Sequence, residues 1–285
     1  MKKSKIVLTS IFIFLFCFSG TISFVNASYN CASSKGTEKI LQVKVVNNNS
    51  LNHIFGSNWT DQLQLLFGPG AYLKNAKMMT KVTDIKPNVI ENFTEFANFT
   101  NIKVCNIITN VWYWTLNGFN NSNPDIKWQS IQIMNDPNNL TNWIRDYSAN
   151  MSDPSNMTMK YAWSFGWLNY VPVPPAKYLR NLIWDSNYSI SSSIITHHVG
   201  LPYFVQINNS TRVNYYTNCT EKWTYDSVYG ALVDYTLIDE NGTIAYRFSV
   251  VLPPLISGFD GSIILGSIGI MVVIGVIYSL KKKKE

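Results

Sequence analysis

The feature that most constrains this chain is a charge-free stretch near its C-terminus, the 20 residues from Gly261 to Leu280. At a rise of about 1.5 Å per residue, a helix of this length spans roughly 30 Å, the thickness of a bilayer's hydrocarbon core. Four lysines follow at once, and such a cluster stays on the cytoplasmic side. The pattern predicts one transmembrane helix over 261–280 and a basic cytoplasmic tail over 281–285. A buried core helix is the poorer explanation of so long a stretch in this position.

The N-terminus carries the pattern of an export signal. Three lysines precede an apolar run over 6–18, and Ala27 completes a small-residue cleavage site. These features predict a secretory signal peptide over 1–27. The alternative is an uncleaved N-terminal anchor. With the signal peptide removed, the chain is expected in the cell membrane as a single-pass protein, with its N-terminal domain extracytoplasmic and its tail cytoplasmic.

The two apolar segments delimit an exported domain over 28–256, joined to the span by a linker over 257–260. Residues 28–260 contain 16 basic and 16 acidic side chains, so this part has no net charge. Because a nucleic-acid partner normally requires a basic patch, we expect none. The expected partners are the lipid bilayer and other surface proteins or glycans. Small residues four positions apart within the span would also allow a weak dimer of transmembrane helices.

Glycosylation sequons are frequent in the exported region, which contains 13 of them. Each acceptor that is used must face solvent, because the glycan is bulky and polar. We therefore expect a heavily N-glycosylated exterior. The acceptors are Asn48, Asn58, Asn92, Asn98, Asn120, Asn139, Asn150, Asn156, Asn187, Asn208, Asn209, Asn218 and Asn241.

Three of the four cysteines remain after the signal peptide, namely Cys31, Cys105 and Cys219. An exported domain permits disulfides, and an odd count leaves one thiol over. We favour a bond between Cys105 and Cys219, since both lie in strand-like runs, although Cys31 is able to pair with either. No two cysteines are close in sequence, and His197 and His198 would point to opposite sides of a strand. We therefore expect no metal site and no cofactor.

Runs rich in β-branched and aromatic residues predict that strands dominate the domain. Helical spacing of apolar residues predicts two or three short helices among them. The result is an α+β fold with a mostly antiparallel β extracytoplasmic domain, plus the C-terminal transmembrane helix. The predicted strands are 39–46, 76–85, 101–116, 126–134, 219–226, 230–238 and 243–251. The predicted helices are 58–70, 138–149 and a third beginning after Pro175, while Asn241-Gly242 marks a hairpin between the last two strands.

The stretch YAWSFGW places four aromatic residues on alternate positions, with Ala, Ser and Gly between them. Such a row either forms core, because aromatic side chains bury large areas, or stacks on sugar rings or lines a lipid pocket. We favour core, with the last residue of the row best placed to reach a pocket mouth. The ligand-binding candidates are therefore Tyr161, Trp163, Phe165 and Trp167.

No motif of a familiar catalytic mechanism is present, neither a nucleophile elbow, nor a zinc-protease helix, nor a phosphate-binding glycine loop. The leading hypothesis is a non-catalytic, membrane-anchored surface or envelope protein with a glycosylated ectodomain, which would have no sizeable apolar pocket. A second hypothesis is a module that binds a hydrophobic ligand or a glycan on an aromatic-lined sheet. A third is an unrecognised extracytoplasmic hydrolase, which would require polar side chains clustered in a cleft.

The layout resembles that of archaeal membrane-anchored surface proteins, with signal peptide, sequon-rich β domain, glycine-containing span and lysine tail. The residues Ser257-Gly258-Phe259 are similar to the archaeal Pro-Gly-Phe sorting signal, with Ser257 in place of the proline. This resemblance implies a single-pass cell-surface protein. The run TYDSVYGALVDYTLIDENG, over 224–242, also resembles the curved antiparallel sheets of lipoprotein-carrier-like domains.

Overall fold

The structure is a computed structural model, and it describes residues 29–93, 99–120, 122–139, 141–142, 169–182, 186–206 and 211–251. The chain divides into two compact units, Met1–Ser249 and Val250–Glu285, and the fold described below is that of the first. The predicted signal peptide, the predicted span with its tail, and the aromatic row 161–167 lie outside the described residues. Within the described ranges, no helix combines the length and apolar character that crossing a bilayer requires.

Strands make up most of the described part of the chain. They are β1 (Glu38–Val46), β2 (Lys77–Phe93), β3 (Phe99–Thr115), β4 (Ile126–Met134), β5 (Tyr188–Ser191), β6 (Ile194–Val199), β7 (Tyr203–Gln206), β8 (Arg212–Tyr215), β9 (Cys219–Tyr225), β10 (Leu232–Asp239) and β11 (Ile244–Val250). The helices with complete boundaries are α1 (Asn48–Phe55), α2 (Trp59–Phe67) and α3 (Pro175–Arg180).

Nine of these strands form one sheet in the order β4-β3-β2-β1-β11-β10-β9-β6-β5, while β7 pairs with β8. Every strand pair whose register is described is antiparallel. The structure therefore confirms the predicted α+β architecture, mostly antiparallel β with a few short helices.

The predicted strands correspond to β1–β4 and β9–β11, and two of the predicted helices correspond to α2 and α3. Residues 137–139 and 141–142 are helical, and the rest of the predicted helix 138–149 lies outside the described residues. The hairpin between β10 and β11 turns where Asn241-Gly242 predicts it, with Gly242 at a φ of 82°. Helix α1 and strands β5–β8 are not among the predicted elements.

The large sheet has one buried face and one partly solvated face. On β9, the buried Cys219, Glu221, Trp223 and Tyr225 alternate with more exposed neighbours such as Lys222. The same alternation continues across the sheet, because Trp223 lies opposite Tyr235 and Tyr235 opposite Phe248. Antiparallel sheets commonly have this arrangement, since only one face packs on the core.

Helices α1 and α2 and the β7–β8 hairpin pack on the buried face. The side chain of Asn47 accepts a hydrogen bond from the backbone N–H of Ser50 at 3.2 Å and so caps the start of α1. Phe55, at the end of α1, meets Tyr215 of β8 with ring centroids 4.9 Å apart. Phe67, at the end of α2, lies 4.8 Å from the ring of Tyr235. We call α1, α2 and the β7–β8 hairpin the cover. One aromatic contact joins α1 to the hairpin, and the other joins α2 to the sheet.

The segment 169–173 is a further part of the cover, and backbone hydrogen bonds hold it beside the start of β10. Val171 N donates to Gly230 O at 2.8 Å, and Leu232 N donates to Asn169 O at 2.9 Å. Gly230 has a φ of +66°, and a Cβ atom there would overlap the carbonyl oxygen of Val171. Glycine is therefore required at this position both for its backbone conformation and for the close approach of the segment.

The disulfide joins Cys31 to Cys105, with Cα atoms 6.1 Å apart, and Cys219 is a free, buried cysteine. The predicted bond between Cys105 and Cys219 is wrong. Cys105 lies on β3 and Cys219 on β9, five strand spacings apart in the sheet, or roughly 24 Å. A disulfide requires Cα atoms within about 7 Å. The actual bond lies in an apolar cluster that includes Val82, Ile107 and Tyr170.

Peptide mapping without reduction tests the cysteine assignment. We expect a linked peptide pair containing Cys31 and Cys105, and a Cys219 that is alkylated only after unfolding, because its side chain is buried. Opening the bond frees a loop of 74 residues, which in the chain-entropy account lowers the free energy of unfolding by roughly 4 kcal/mol. Recovery of a peptide pair linking Cys105 to Cys219 would contradict the described strand order.

Two glycine variants separate backbone strain from close approach. Gly230→Ala introduces both, whereas Gly242→Ala introduces strain alone, because no other atom lies within 4 Å of a Cβ at Gly242. We expect Gly242→Ala to lower the free energy of unfolding by about 1 kcal/mol and Gly230→Ala to lower it by clearly more. Urea unfolding of both variants makes the comparison, and equal losses would show that segment 169–173 is not held against Gly230.

Candidate functional site

A cavity of about 180 Å³ lies against the buried face of the sheet. Its walls are mostly apolar, and they come from both halves of the sheet as well as from the cover. Strands β1–β4 contribute Leu41, Met78, Val111 and Ile131, and strands β9–β11 contribute Trp223, Leu232 and Phe248. The cover contributes Leu66, Phe67 and Tyr170. An apolar lining of this kind is a common property of sites for small ligands.

Two hydrogen bonds fix the α2 end of the cavity. The indole N–H of Trp114 donates to the carbonyl oxygen of Phe67 at 2.8 Å. The hydroxyl of Tyr246 donates to the carbonyl oxygen of Ala71 at 2.7 Å. Both donors belong to the sheet and both acceptors to the segment that ends α2. The Phe67 ring is therefore held over the sheet rather than free to collapse into the space beneath it.

Tyr170, from segment 169–173, covers the cavity together with Phe67. It pairs with Ala231 in an isolated antiparallel bridge, so its position depends on the contacts that Gly230 makes. The Tyr170 side chain is 3% exposed and contacts the apolar cluster around the disulfide. Burial raises the pKa of Tyr170, which keeps the phenol neutral over the physiological range.

A few polar groups interrupt the apolar lining. Thr109 is fully buried, and its hydroxyl has no hydrogen-bond partner among the described residues. Thr80 and Asn169 also line the space, and Gln129, which is exposed, lies at its outer margin. Sites for small ligands commonly combine an apolar wall with such a small number of polar groups.

Lys39 lies beside this cavity and is 7% exposed. It is directly opposite Thr80 in the β1–β2 register, and its Nζ atom lies 4.9 Å from the centre of the Tyr170 ring. Burial lowers the pKa of Lys39 to about 7, because the interior disfavours the charged form. The contact with the Tyr170 ring is a cation–π interaction, which compensates only part of the cost of burying a charge.

A second polar cluster lies further along the buried face, on β6 and β9. His197 Nδ1 is 3.0 Å from Glu221 Oε2, and both side chains are almost completely buried. The other carboxylate oxygen accepts hydrogen bonds from the hydroxyls of Tyr215 and Tyr235, at 2.9 and 2.8 Å. The Tyr188 ring stacks on the His197 ring, with centroids 4.1 Å apart.

The residue types of this second cluster are those of many catalytic sites, but its side chains are not accessible to a substrate. The side chains of His197 and Glu221 are 4% and 1% exposed, so a substrate does not reach them in this conformation. Burial, together with the Glu221 charge, raises the pKa values of Tyr215 and Tyr235, which remain hydrogen-bond donors. Burial likewise raises the pKa of the nearby Cys219 thiol, and a protonated thiol is a poor nucleophile. The arrangement satisfies a buried charge and fixes the sheet to the β7–β8 hairpin.

The predicted ligand-binding residues Tyr161, Trp163, Phe165 and Trp167 lie outside the described residues, so their role stays a prediction. The two histidines do point to opposite faces, since His197 is buried and His198 is exposed. Among the described residues, no group of three or more His, Cys, Asp or Glu side chains is arranged to hold a metal ion.

Most of the described sequon asparagines lie at the surface. Seven are exposed and one is half-buried, which is compatible with glycan attachment. The exposed ones are Asn48, Asn58, Asn92, Asn120, Asn187, Asn218 and Asn241, and the half-buried one is Asn139. The acceptors outside the described residues are Asn98, Asn150, Asn156, Asn208 and Asn209.

Lys39 and Glu221 were not among the predicted site residues. Each is a charged residue within an alternating strand, at a position where the period-two pattern places the side chain on the apolar face. On β1, Lys39 falls in phase with the buried Leu41 and Val43. On β9, Glu221 falls in phase with Trp223 and Tyr225. A charge in phase with apolar residues is therefore the sequence signal that could have identified both.

The buried and exposed ion pairs are expected to differ in their contribution to stability. Glu221→Leu leaves His197 and two tyrosine hydroxyls buried without their acceptor, and we expect it to lower the free energy of unfolding by about 3–5 kcal/mol. The control Asp234→Asn breaks the pair with Arg247, which is 44% exposed, and should cost at most about 1 kcal/mol. Chemical unfolding measures both, and similar losses would show that the Glu221 cluster is not a structural centre.

Comparison of the chain with known protein families, curated proteins and solved structures finds no match. The candidate site is therefore defined by its own geometry, namely an apolar cavity under Phe67 and Tyr170 with Lys39 beside it, next to Thr80 and Tyr170.

Proposed function

We propose that this chain is a non-catalytic, membrane-anchored protein of the cell surface whose β domain binds a small apolar molecule. The observation that carries the proposal is the cavity of about 180 Å³, bounded by the sheet below and by Phe67 and Tyr170 above. Export, the single span and the cytoplasmic tail are supported by the sequence pattern of the two ends. The exposed sequon asparagines support a glycosylated exterior.

The size of the cavity indicates the size of the ligand. A cavity of about 150 Å³ engineered into another protein, lined by Leu, Ile and Phe, stays free of water and binds benzene. The cavity in this chain is slightly larger and has a similar lining. A molecule of about the size of benzene or toluene therefore fits, whereas a full-length lipid chain does not.

The cavity favours the ligand-binding hypothesis over a purely structural surface protein, for which we expected no sizeable apolar pocket. Its described walls come from β1–β4, β9–β11, α2 and residues 169–170, whereas the aromatic row 161–167 lies outside the described residues. The hydrolase alternative is supported least. The polar cluster that most resembles a catalytic group, around Glu221, is sealed from solvent.

Binding of toluene to the full chain in lipid nanodiscs tests the proposed function. We expect toluene to raise the unfolding midpoint of the domain, because a ligand at 100 times its Kd stabilises the native state by about 2.7 kcal/mol. Thr109→Leu adds apolar volume where Thr109 lines the cavity and removes a hydroxyl that has no hydrogen-bond partner in the described part of the chain. We expect this variant to fold normally and to lose at least about 90% of the toluene affinity, since the added atoms occupy the ligand's space.

Thr196→Leu is the matched control, because Thr196 lies half-buried on β6 and is not part of the cavity wall. This variant should retain the response of the wild type, and empty nanodiscs correct for partition of toluene into lipid. A wild-type domain whose unfolding midpoint does not respond to toluene, or equal responses from the wild type and Thr109→Leu, would contradict the proposal.

A further inference from the structure

Lys39 is the only lysine or arginine among the buried residues that the structure describes. Its Nζ atom is inaccessible to solvent and has no hydrogen-bond partner among the described residues. Two acidic side chains are also buried, and both have partners: Asp239 accepts a hydrogen bond from Ser50, and Glu221 has a basic neighbour and two hydroxyl donors. Among the described residues, Lys39 contacts only the face of the Tyr170 ring. Its amine is thus buried without a counter-ion in the part of the chain that the structure describes, and proteins rarely keep such a group without a use for it.

Lys39 lies next to two of the residues that line the cavity. Its cross-strand partner Thr80 lines the cavity, and so does Tyr170, whose ring the ammonium group faces. Lys39, Thr80 and Val111 are opposite one another in neighbouring strands and so form one continuous row across β1, β2 and β3. Lys39 is the β1 end of that row. The lysine side chain has a flexible four-carbon stem, so its ammonium group can turn from the ring toward a ligand beside Thr80.

The described walls of the cavity offer no competing charge. They contain no acidic side chain and no basic one, and their polar members are hydroxyl and amide groups. An anionic group inside the cavity at Thr80 and Tyr170 would therefore have Lys39 as a basic neighbour, with Thr80 available as a hydrogen-bond donor. A cation inside the cavity would meet no carboxylate.

We propose that the cavity binds a small apolar molecule that carries an anionic head, such as a short aromatic or aliphatic carboxylate, and that the head pairs with the ammonium group of Lys39. This inference rests on the proposed function and names its ligand class. The apolar body lies between Phe67, Val111 and Phe248, and the carboxylate lies at the wall formed by Thr80 and Tyr170. A charge-assisted hydrogen bond formed away from water is about twice as strong as a neutral one.

The pair also makes binding depend on pH. The unliganded Lys39 has a pKa of about 7, so it is increasingly neutral as the pH rises above that value. A carboxylate favours the protonated amine, so binding takes up a proton around and above pH 7 and weakens as the pH rises. Tyr170 is the titratable group that the described structure places against Lys39. Its raised pKa keeps it uncharged over the same range, so it does not produce this dependence.

Two probes of matched shape test the proposal, benzoate and benzyl alcohol, titrated calorimetrically into the full chain in zwitterionic nanodiscs at pH 6. We expect wild type to bind benzoate at least about tenfold more tightly than benzyl alcohol, the ratio typical of a hydrogen bond to a charged group. Lys39→Met keeps the apolar stem and removes the charge. It should abolish the preference for benzoate while leaving the affinity for benzyl alcohol within about twofold.

The control is Lys222→Met, which removes an exposed lysine from β9 and should behave as wild type. A second measurement does not depend on a variant, since raising the pH from 6 to 9 should weaken benzoate binding to wild type about tenfold and leave benzyl alcohol unaffected. A benzoate preference that persists in Lys39→Met, or that does not change with pH, would overturn the inference while the cavity's role in binding stands. Failure of both probes to bind wild type would overturn the inference and the proposed function together.

Discussion

The large sheet carries a row of bulky aromatic side chains on its buried face, and water has to be kept off that face. The row Trp223, Tyr235 and Phe248 crosses three neighbouring strands. Each such side chain buries on the order of 150–250 Å². Helices α1 and α2, the β7–β8 hairpin and the segment 169–173 all lie where they cover this face. The residues that alternate with these along each strand point to the opposite face, which is partly exposed to solvent.

The cover does not pack uniformly, and two of the buried charged residues, Glu221 and Lys39, show the difference. Around Glu221 the cover supplies a hydroxyl from Tyr215 while the sheet supplies His197 and Tyr235, so the carboxylate has hydrogen-bond partners on both of its oxygens. Around Lys39 the described part of the cover supplies an aromatic ring and no hydrogen-bond partner. Glu221 therefore has a structural role, because it connects the sheet to the β7–β8 hairpin. Lys39 lies next to unfilled space, which is the arrangement expected where a ligand completes the set of contacts.

Much of the fold follows from local patterns in the sequence. Strands β1–β4 and β9–β11 have the alternation of half-buried strands, and α2 ends at Gly68 as its glycine predicts. Helix α1 was missed because its eight residues are rich in asparagine, although Asn47 in fact caps it. Strands β5–β8 are four to six residues long, too short for a period to be recognised.

The features that matter most for function depend on strand order, which local patterns do not encode. The Cys31–Cys105 bond was an open alternative rather than the favoured pairing, because the distance between β3 and β9 is set by the strands inserted between them. The cavity was missed for the same reason, since its walls come from positions between Leu41 and Phe248. The part of the site that local sequence does indicate is Lys39, because it is a charged residue in phase with the buried apolar residues of β1.

The account depends on the space between the sheet and its cover being accessible and apolar. A crystal of the exported domain under xenon pressure measures this directly, because xenon occupies dry apolar cavities without needing any polar contact. The account predicts a bound xenon atom bounded by Leu41, Val111 and Phe248, beneath Phe67. A structure in which this volume is filled by the protein's own side chains, with no xenon there, would contradict it.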